Sequence, residues 1–419
     1  MFLSARFQYI FVVFVTLVSI KLWSFKLIPD NVYDALEFAA VGGLAIVVIT
    51  NLHRLKEREM FLFKGNVILF LTLPLISALA ALVFHDQSLL LSVMILRTNF
   101  FWLLYFVLHI FEIDVKKIIN LMVFIGIVWA GITIGEQFTY PRYYFYVRSD
   151  EDPYEFFRAG IYRFMIYQHQ YCLFAVLYFY NQFLESKTFL NIFFVLLGLI
   201  GFYYYGFRQV AVAAIVCLIL ASISQKGSAR ALSVSVILIF AVALFYLKDI
   251  LFKEYIEMTA NQIEDSESDV RKYAAHFFLF EYWPHWITIF TGNGVENSKS
   301  SYGQEMLYLN RIQSMYRSDV GPIGIINTFG VFYLLNILWN NFKGLRGRYY
   351  TPYTQYYRLV FFNALIILMI TDSYSVPSGA VPFFCFVFYL VEKSFEEKQN
   401  DEYEQTEVRS VATNNVLVH

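Results

Sequence analysis

Four ionisable side chains interrupt or border long apolar runs: Arg97 in LSVMILRTNFFWLLYF, Arg163 and His169 in IYRFMIYQHQYCLF, and Arg208 in YYYGFRQVAVAAI. A guanidinium inside a bilayer is costly unless it faces water or a partner, so each is a candidate for binding or chemistry. Arg163 and Arg208 lie near the ends of their runs, where snorkelling to the interface is the alternative. Arg97 is in mid-run, where the alternative is an interhelical ion pair or bonds to carbonyls. A second group occupies a long polar stretch: Arg271 in ESDVRKYAA, then Gly292, Gly294 and Tyr302, then Ser318-Asp319 before the next apolar run. Arginine at a membrane surface suits a phosphate or diphosphate, because its planar fork makes paired charge-assisted bonds. Arg271 also fits a solvated helix residue paired with Glu267, four positions back. Asp319 is a candidate base for a sugar hydroxyl, or the N-cap of the helix that follows; the two roles are compatible.

Other chemistry is poorly supported. Asp150-Glu151-Asp152 spells DxD, a pattern that binds metal–nucleotide-sugar complexes, but acids are common in polar loops. His276 and His285 are too far apart for a helical metal pair. No P-loop, GxGxxG or nucleophile elbow is present, which argues against ATP-driven chemistry, and no cofactor is implied.

The elements that must position these residues are membrane helices. Of 419 residues, 58% are hydrophobic, 20% aromatic and only 16% charged. Too little charge is available to solvate a soluble chain of this size. Apolar runs recur throughout, so residues 1–392 read as one all-α polytopic transmembrane domain, with a disordered cytoplasmic tail over 393–419. The net charge of -1 and the absence of a basic tract exclude nucleic acid as a partner. Cys172, Cys217 and Cys385 all lie in apolar runs and read as packing residues. The first apolar run lacks a cleavage motif and reads as an uncleaved helix.

The runs predict about twelve spans, at roughly 6–23, 32–50, 66–84, 88–110, 117–137, 161–182, 188–206, 208–224, 230–248, 320–340, 357–372 and 378–392. Basic residues cluster in four connections: Arg54 to Lys64, Lys116-Lys117, Lys226 to Arg230, and Lys343 to Arg358. All four face the cytoplasm if both termini do. Two loops then fall outside, 138–160 and 249–318, and the second is long enough for a small helical cap.

Taken together the chain resembles the bacterial O-antigen polymerases and ligases, the Wzy and WaaL type. Four stretches carry the likeness: RAGIYRFMIYQHQYCLF, with the polar pair His169-Gln170; YYYGFRQVAVAAIVCLIL, which aligns Arg208 with the family's essential arginine; ESDVRKYAAHFFLFEYWPHWITIFTGNGVEN, which aligns Arg271, Gly292 and Gly294; and SDVGPIGIINTFGVFYLL, which re-enters the membrane. Ligases typically carry a His-Asn or similar pair where this chain has Ser318-Asp319, and that departure favours polymerase.

The resemblance implies a GT-C-like fold in the bacterial inner membrane and a metal-independent, inverting glycosyl transfer at its outer face. The donor would be a glycan on undecaprenyl diphosphate, and the acceptor a second lipid-linked repeat unit. A chain-length regulator protein is an implied partner. Arg208, Arg271 and Arg163 become diphosphate ligands, and Asp319 the residue that activates the acceptor. Tyr302, His169 and Arg97 become sugar contacts, with Tyr140, Tyr143 and Tyr144 able to stack on sugars. Ligation of the glycan to lipid A-core is the alternative within the class. A polysaccharide transporter or flippase is the alternative outside it, although no related halves are visible.

Overall fold

The computed structural model describes residues 4–57, 61–139, 142–145, 157–158, 161–162, 164, 166, 168–224, 270–369 and 380–416. The expected ninth span, 230–248, lies outside them. So do Arg163, Tyr140, the Asp150–Asp152 run and the first part of the 249–318 loop.

The chain is an all-α membrane protein. Four of its described helices are long and apolar enough to cross a bilayer: Asp30–Thr50 (α2), Lys64–His85 (α3), Leu89–Phe111 (α4) and Val115–Thr139 (α5). Shorter apolar helices accompany them: Ala5–Ser19 (α1), Phe189–Tyr205 (α7), Arg208–Ser224 (α8) and Tyr356–Leu368 (α13). Further described helices include His169–Ser186 (α6), Val270–His276 (α9), Ser301–Ile312 (α10), Pro322–Phe329 (α11), Val331–Gly344 (α12) and Ala380–Val416 (α14), besides short turns of helix such as Leu52–Glu57 and Thr288–Thr291. Many apolar side chains on the long helices point outward, Ile46, Ile49 and Val83 among them, as lipid-facing residues do.

Three sequence expectations are corrected. The sixth span begins at His169 rather than near 161. Phe157–Arg158 and Ile161–Tyr162 instead form a short antiparallel pair. The chain then runs inward with Ile161, Phe164 and Ile166 buried, and Gln168 takes a left-handed conformation before the helix starts. Apolar character in this stretch reflects extended packing, which a short apolar run does not distinguish from a helix. The span expected at 320–340 is two helices, because Gly330 at φ +85 turns the chain where a Cβ would lie 2.0 Å from the Phe290 carbonyl oxygen. The tail expected to be disordered continues α14 as helix to Val416.

Helices α5, α6 and α7 pack closely through small residues. A Cβ on Gly126 would meet the Tyr171 carbonyl at 2.3 Å, and one on Gly198 would meet Val176 at 2.3 Å. Such contacts let membrane helices gain dispersion energy where lipid supplies no hydrophobic drive.

The bundle has two distinct ends. At one, the Tyr389 hydroxyl donates to Ile113 O at 2.6 Å, Phe63 N–H to Glu392 at 2.9 Å, and Lys343 to Leu62 O at 2.7 Å. This basic end gathers three of the Lys/Arg-bearing connections, 51–64, 112–117 and 343–358. At the other, Gln87 binds Val295 and Asn297 while Lys26 N–H donates to Tyr144 O at 2.8 Å. This is the capped end, covered by residues 270–330.

Candidate functional site

The cap is built on a glycine interlock. Gly292 and Gly294 have φ of +75 and +82, and a Cβ on Gly292 would fall 2.2 Å from the Thr328 carbonyl oxygen. Only glycine fits such an approach in this conformation. It lets Asn293 N–H donate to Asn327 O at 2.8 Å and Gly294 N–H to Thr328 O at 2.9 Å. The loop is thereby stapled to α11.

Beneath the loop lies a buried arginine. Arg317 forms an ion pair with Glu296 and donates to the Tyr302 hydroxyl at 2.9 Å, with longer contacts to Gly294 O and Asn327. The Tyr302 hydroxyl in turn donates to Gly294 O at 3.1 Å. Its ring stacks on His85 at 4.1 Å, and His85 meets Asn293 at 3.2 Å. Burial alone would lower the Arg317 pKa, but Glu296 and the tyrosines outweigh it and hold the guanidinium above its usual range. Burial pushes the Tyr302 and Tyr282 hydroxyls up, so both remain protonated donors. Sequence reasoning passed over Arg317 and Glu296. The usable signal was an arginine directly before an apolar run, with an acid in the preceding glycine-rich loop.

Arg271 is exposed on α9, and Asp319 is exposed on the turn Arg317–Val320. Helix α9 packs against that turn. Ala274, one turn beyond Arg271, and Val320, next to Asp319, share a small apolar cluster with Phe278, Tyr282, Tyr302, Met306 and Leu309. The Arg317 node and this cluster therefore fix both elements on one foundation. Asp319 does not cap α11: the N-cap is Gly321, with no side-chain bond to the first turn. The carboxylate accepts from the hydroxyl of its neighbour Ser318 at 3.4 Å.

Arg208 opens α8, which runs antiparallel to α13. Cys217 meets Leu359 O, while Ala221 and Ser224 share a cavity wall with Gln355 and Tyr356. Counting back from the Cys217–Leu359 contact brings Arg208 level with Leu368, since each lies nine positions along its helix. Gly321 sits on that same Leu368, where a Cβ would be 2.7 Å from the carbonyl oxygen. The start of α8 thus reaches the capped end at the level of the Asp319 turn.

The remaining candidates separate from this group. Arg97 is committed to α2: its Nε donates to Glu37 at 2.8 Å, another nitrogen pairs with Asp34, and a third binds Met94 O at 2.9 Å. It acts as an interhelical ion pair rather than a sugar contact. Tyr302, 1% exposed and stacked on His85, has no ring face for a sugar either. Tyr143 lies under the Lys26 ammonium at 3.7 Å, and Tyr144 N–H donates to Glu136 at 3.0 Å. His169 heads α6 with its ring 5.6 Å from Tyr205. His276 and His285 have separate partners, Glu281 and Phe84. Among the described residues no three His, Cys, Asp or Glu side chains gather as a metal site.

No family model, no curated protein and no solved structure matches this chain.

Proposed function

We propose that the protein is a polysaccharide repeat-unit polymerase of the bacterial plasma membrane, with about twelve spans in a GT-C-like arrangement and its site facing outward. One observation carries the reading: Arg271 and Asp319 are exposed on adjoining, rigidly supported elements at the bundle end reached by the start of α8, which Arg208 opens. The opposite end gathers three of the basic connections, and the usual excess of Lys and Arg on cytoplasmic loops supports reading the capped end as the outer one.

In this reading Arg208 and Arg271, with Arg163 beside them in the resemblance, pair the diphosphate of an undecaprenyl-linked glycan. The acceptor, a sugar hydroxyl of a second lipid-linked unit, attacks the anomeric carbon from the opposite face. The new C–O bond forms as the bond to the diphosphate breaks, the configuration inverts, and Asp319 takes the hydroxyl proton. The leaving group is already activated, so the protein has only to align the reactants and neutralise growing phosphate charge. A chain-length regulator would act on this product from outside the chain.

The test is the glycan of a deletion strain. A single repeat unit left on the lipid A-core supports a polymerase. Core with no glycan at all would mean a ligase, and unaltered ladders would remove both assignments.

A further inference from the structure

Between His285 and Gly292 the cap presents an apolar edge, WITIF over residues 286–290. Trp286, Ile287, Ile289 and Phe290 are exposed, Trp286 by 66%, while Thr288 is buried. Such an edge is unusual on a surface that meets only water. The backbone beneath it needs no water either. Six consecutive N–H groups are bonded locally: Ile287 to His285 Nδ1, Thr288 to His285 O, Ile289 to Trp286 O, Phe290 and Thr291 to Ile287 O, and Gly292 to Thr288 O. The Thr288 hydroxyl donates to His285 O at 2.6 Å, and that of Thr291 to Ile287 O at 3.3 Å. Hydrocarbon tolerates backbone donors only when they are satisfied internally, as these are.

The edge sits where two lipid-facing surfaces end. The turn Thr288–Thr291 packs against both α3 and α12. The Phe290 ring lies 5.7 Å from Phe332, in the first turn of α12, and Trp286 lies 6.3 Å from Phe290. From Phe332 the exposed apolar side chains continue along α12 as Leu335, Trp339 and Phe342, spaced to share one helix face. On the α3 side, His285 stacks on Phe84 at 5.4 Å, beside the exposed Leu82 and Val83. The apolar surface of the bundle thus passes through Phe332 and Phe290 onto Trp286.

We propose that Trp286–Phe290 is a wedge inserted into the bilayer leaflet at the capped end, with phospholipid acyl chains against Trp286, Ile289 and Phe290. Tryptophan favours the boundary between headgroups and hydrocarbon, the level at which α3 ends and α12 begins. The wedge leads directly into Gly292 and Gly294, the loop stapled to α11 and tied through Glu296 to Arg317. Membrane contact and cap scaffold are thereby one continuous piece, and the bilayer surface sets the height of the turn that carries Asp319. The wedge follows from exposure, pairing and position, and does not rest on the polymerase reading.

The test uses full-length Trp286→Cys and Phe290→Cys proteins in phosphatidylcholine nanodiscs, each labelled with an environment-sensitive fluorophore. The native cysteines are buried, and Ser298→Cys, exposed in the following loop, is the aqueous control. A nitroxide near the top of the lipid acyl chain should remove most of the emission at both wedge sites and little at Ser298, while dissolved iodide should do the reverse. Quenching by iodide but not by the lipid nitroxide, at either wedge site, would make the segment a water-exposed loop and overturn the proposal. Protection from both quenchers would mean that protein, such as a second copy of the chain, covers the edge, and would overturn it equally. Polymer formation plays no part in the readout, so failure of the wedge leaves the polymerase reading standing.

Discussion

Arg317 and Glu296 lie 21 positions apart, and their ion pair ties the glycine-rich loop to the turn that carries Asp319. The guanidinium is 8% exposed and the carboxylate 29%. Around the pair, Tyr302 and Asn327 draw in α10 and α11, so one arginine sets the relative placement of three segments of the cap.

Removing that arginine should unfold the cap before it affects chemistry. Arg317→Ala leaves Glu296 and the Tyr302 hydroxyl without the guanidinium, and breaking a buried pair from one side costs about 3 kcal/mol. Glu296→Gln should cost less, because its side chain is partly solvated and the amide oxygen still accepts. Thermal unfolding of purified protein in detergent should show a drop of several degrees for Arg317→Ala and a smaller one for Glu296→Gln. Equal stability for wild type and Arg317→Ala would show that the pair holds nothing together.

The two arginines assigned to the diphosphate should behave differently. Arg208→Ala and Arg271→Ala should leave membrane insertion and yield intact while polymer formation falls on the order of a hundredfold, the scale of losing one charge-stabilising contact in a transition state. Lysine at either position should rescue only part of the activity, because a point charge lacks the paired geometry of the fork. Wild-type ladders from either alanine variant would remove that arginine from the site.

The orientation can be read with cysteine labelling, since all three native cysteines are buried. Ser300, a natural choice within the loop, is itself buried against Gln87, so the exposed neighbour Ser298 is the better probe. In intact spheroplasts Ser298→Cys should react with an impermeant maleimide, whereas Lys116→Cys, at the basic end, should react only after lysis. The reverse pattern would place the cap in the cytoplasm.

Much of this arrangement was legible in the sequence. Length and apolarity located the starts of α2, α3 and α5 to within a few residues, because a bilayer sets the length of what crosses it. The pairing of Arg97 was foreshadowed by its place in mid-run, although the partner, Glu37, is 60 positions away and only the packing of α2 on α4 reveals it. The segment before His169 was misread because its apolar residues serve an extended chain clasped by Gln137, which binds the backbone of Tyr162 from both sides. Tyr302 illustrates the same limit from the other direction. An aromatic in a polar loop is a fair sugar contact until the fold shows His85 stacked on its ring. Pairing between distant positions leaves no local pattern, and for that reason Arg317 escaped notice while the glycines stapling its loop did not.

The role of Asp319 is the most exposed of these assignments, and the structure simplifies its test. A capping role would confuse the outcome, since asparagine caps about as well as aspartate and alanine does not. Here the N-cap of α11 is Gly321, and among the described residues the Asp319 carboxylate accepts only from the Ser318 hydroxyl, so neither Asp319→Asn nor Asp319→Ala should alter stability. If the carboxylate accepts the proton of the acceptor hydroxyl, both variants should lose turnover equally, on the order of a hundredfold or more. Lipid binding should persist, because the diphosphate ligands are untouched. Turnover per folded enzyme, measured with purified lipid-linked repeat units, separates the alternatives. Near-normal turnover for Asp319→Asn would mean that the diphosphate leaving group is reactive enough for alignment alone to suffice. The carboxylate would then be an ordinary surface residue. An activity loss accompanied by a fall in unfolding temperature would instead move Asp319 into the scaffold that Arg317 organises.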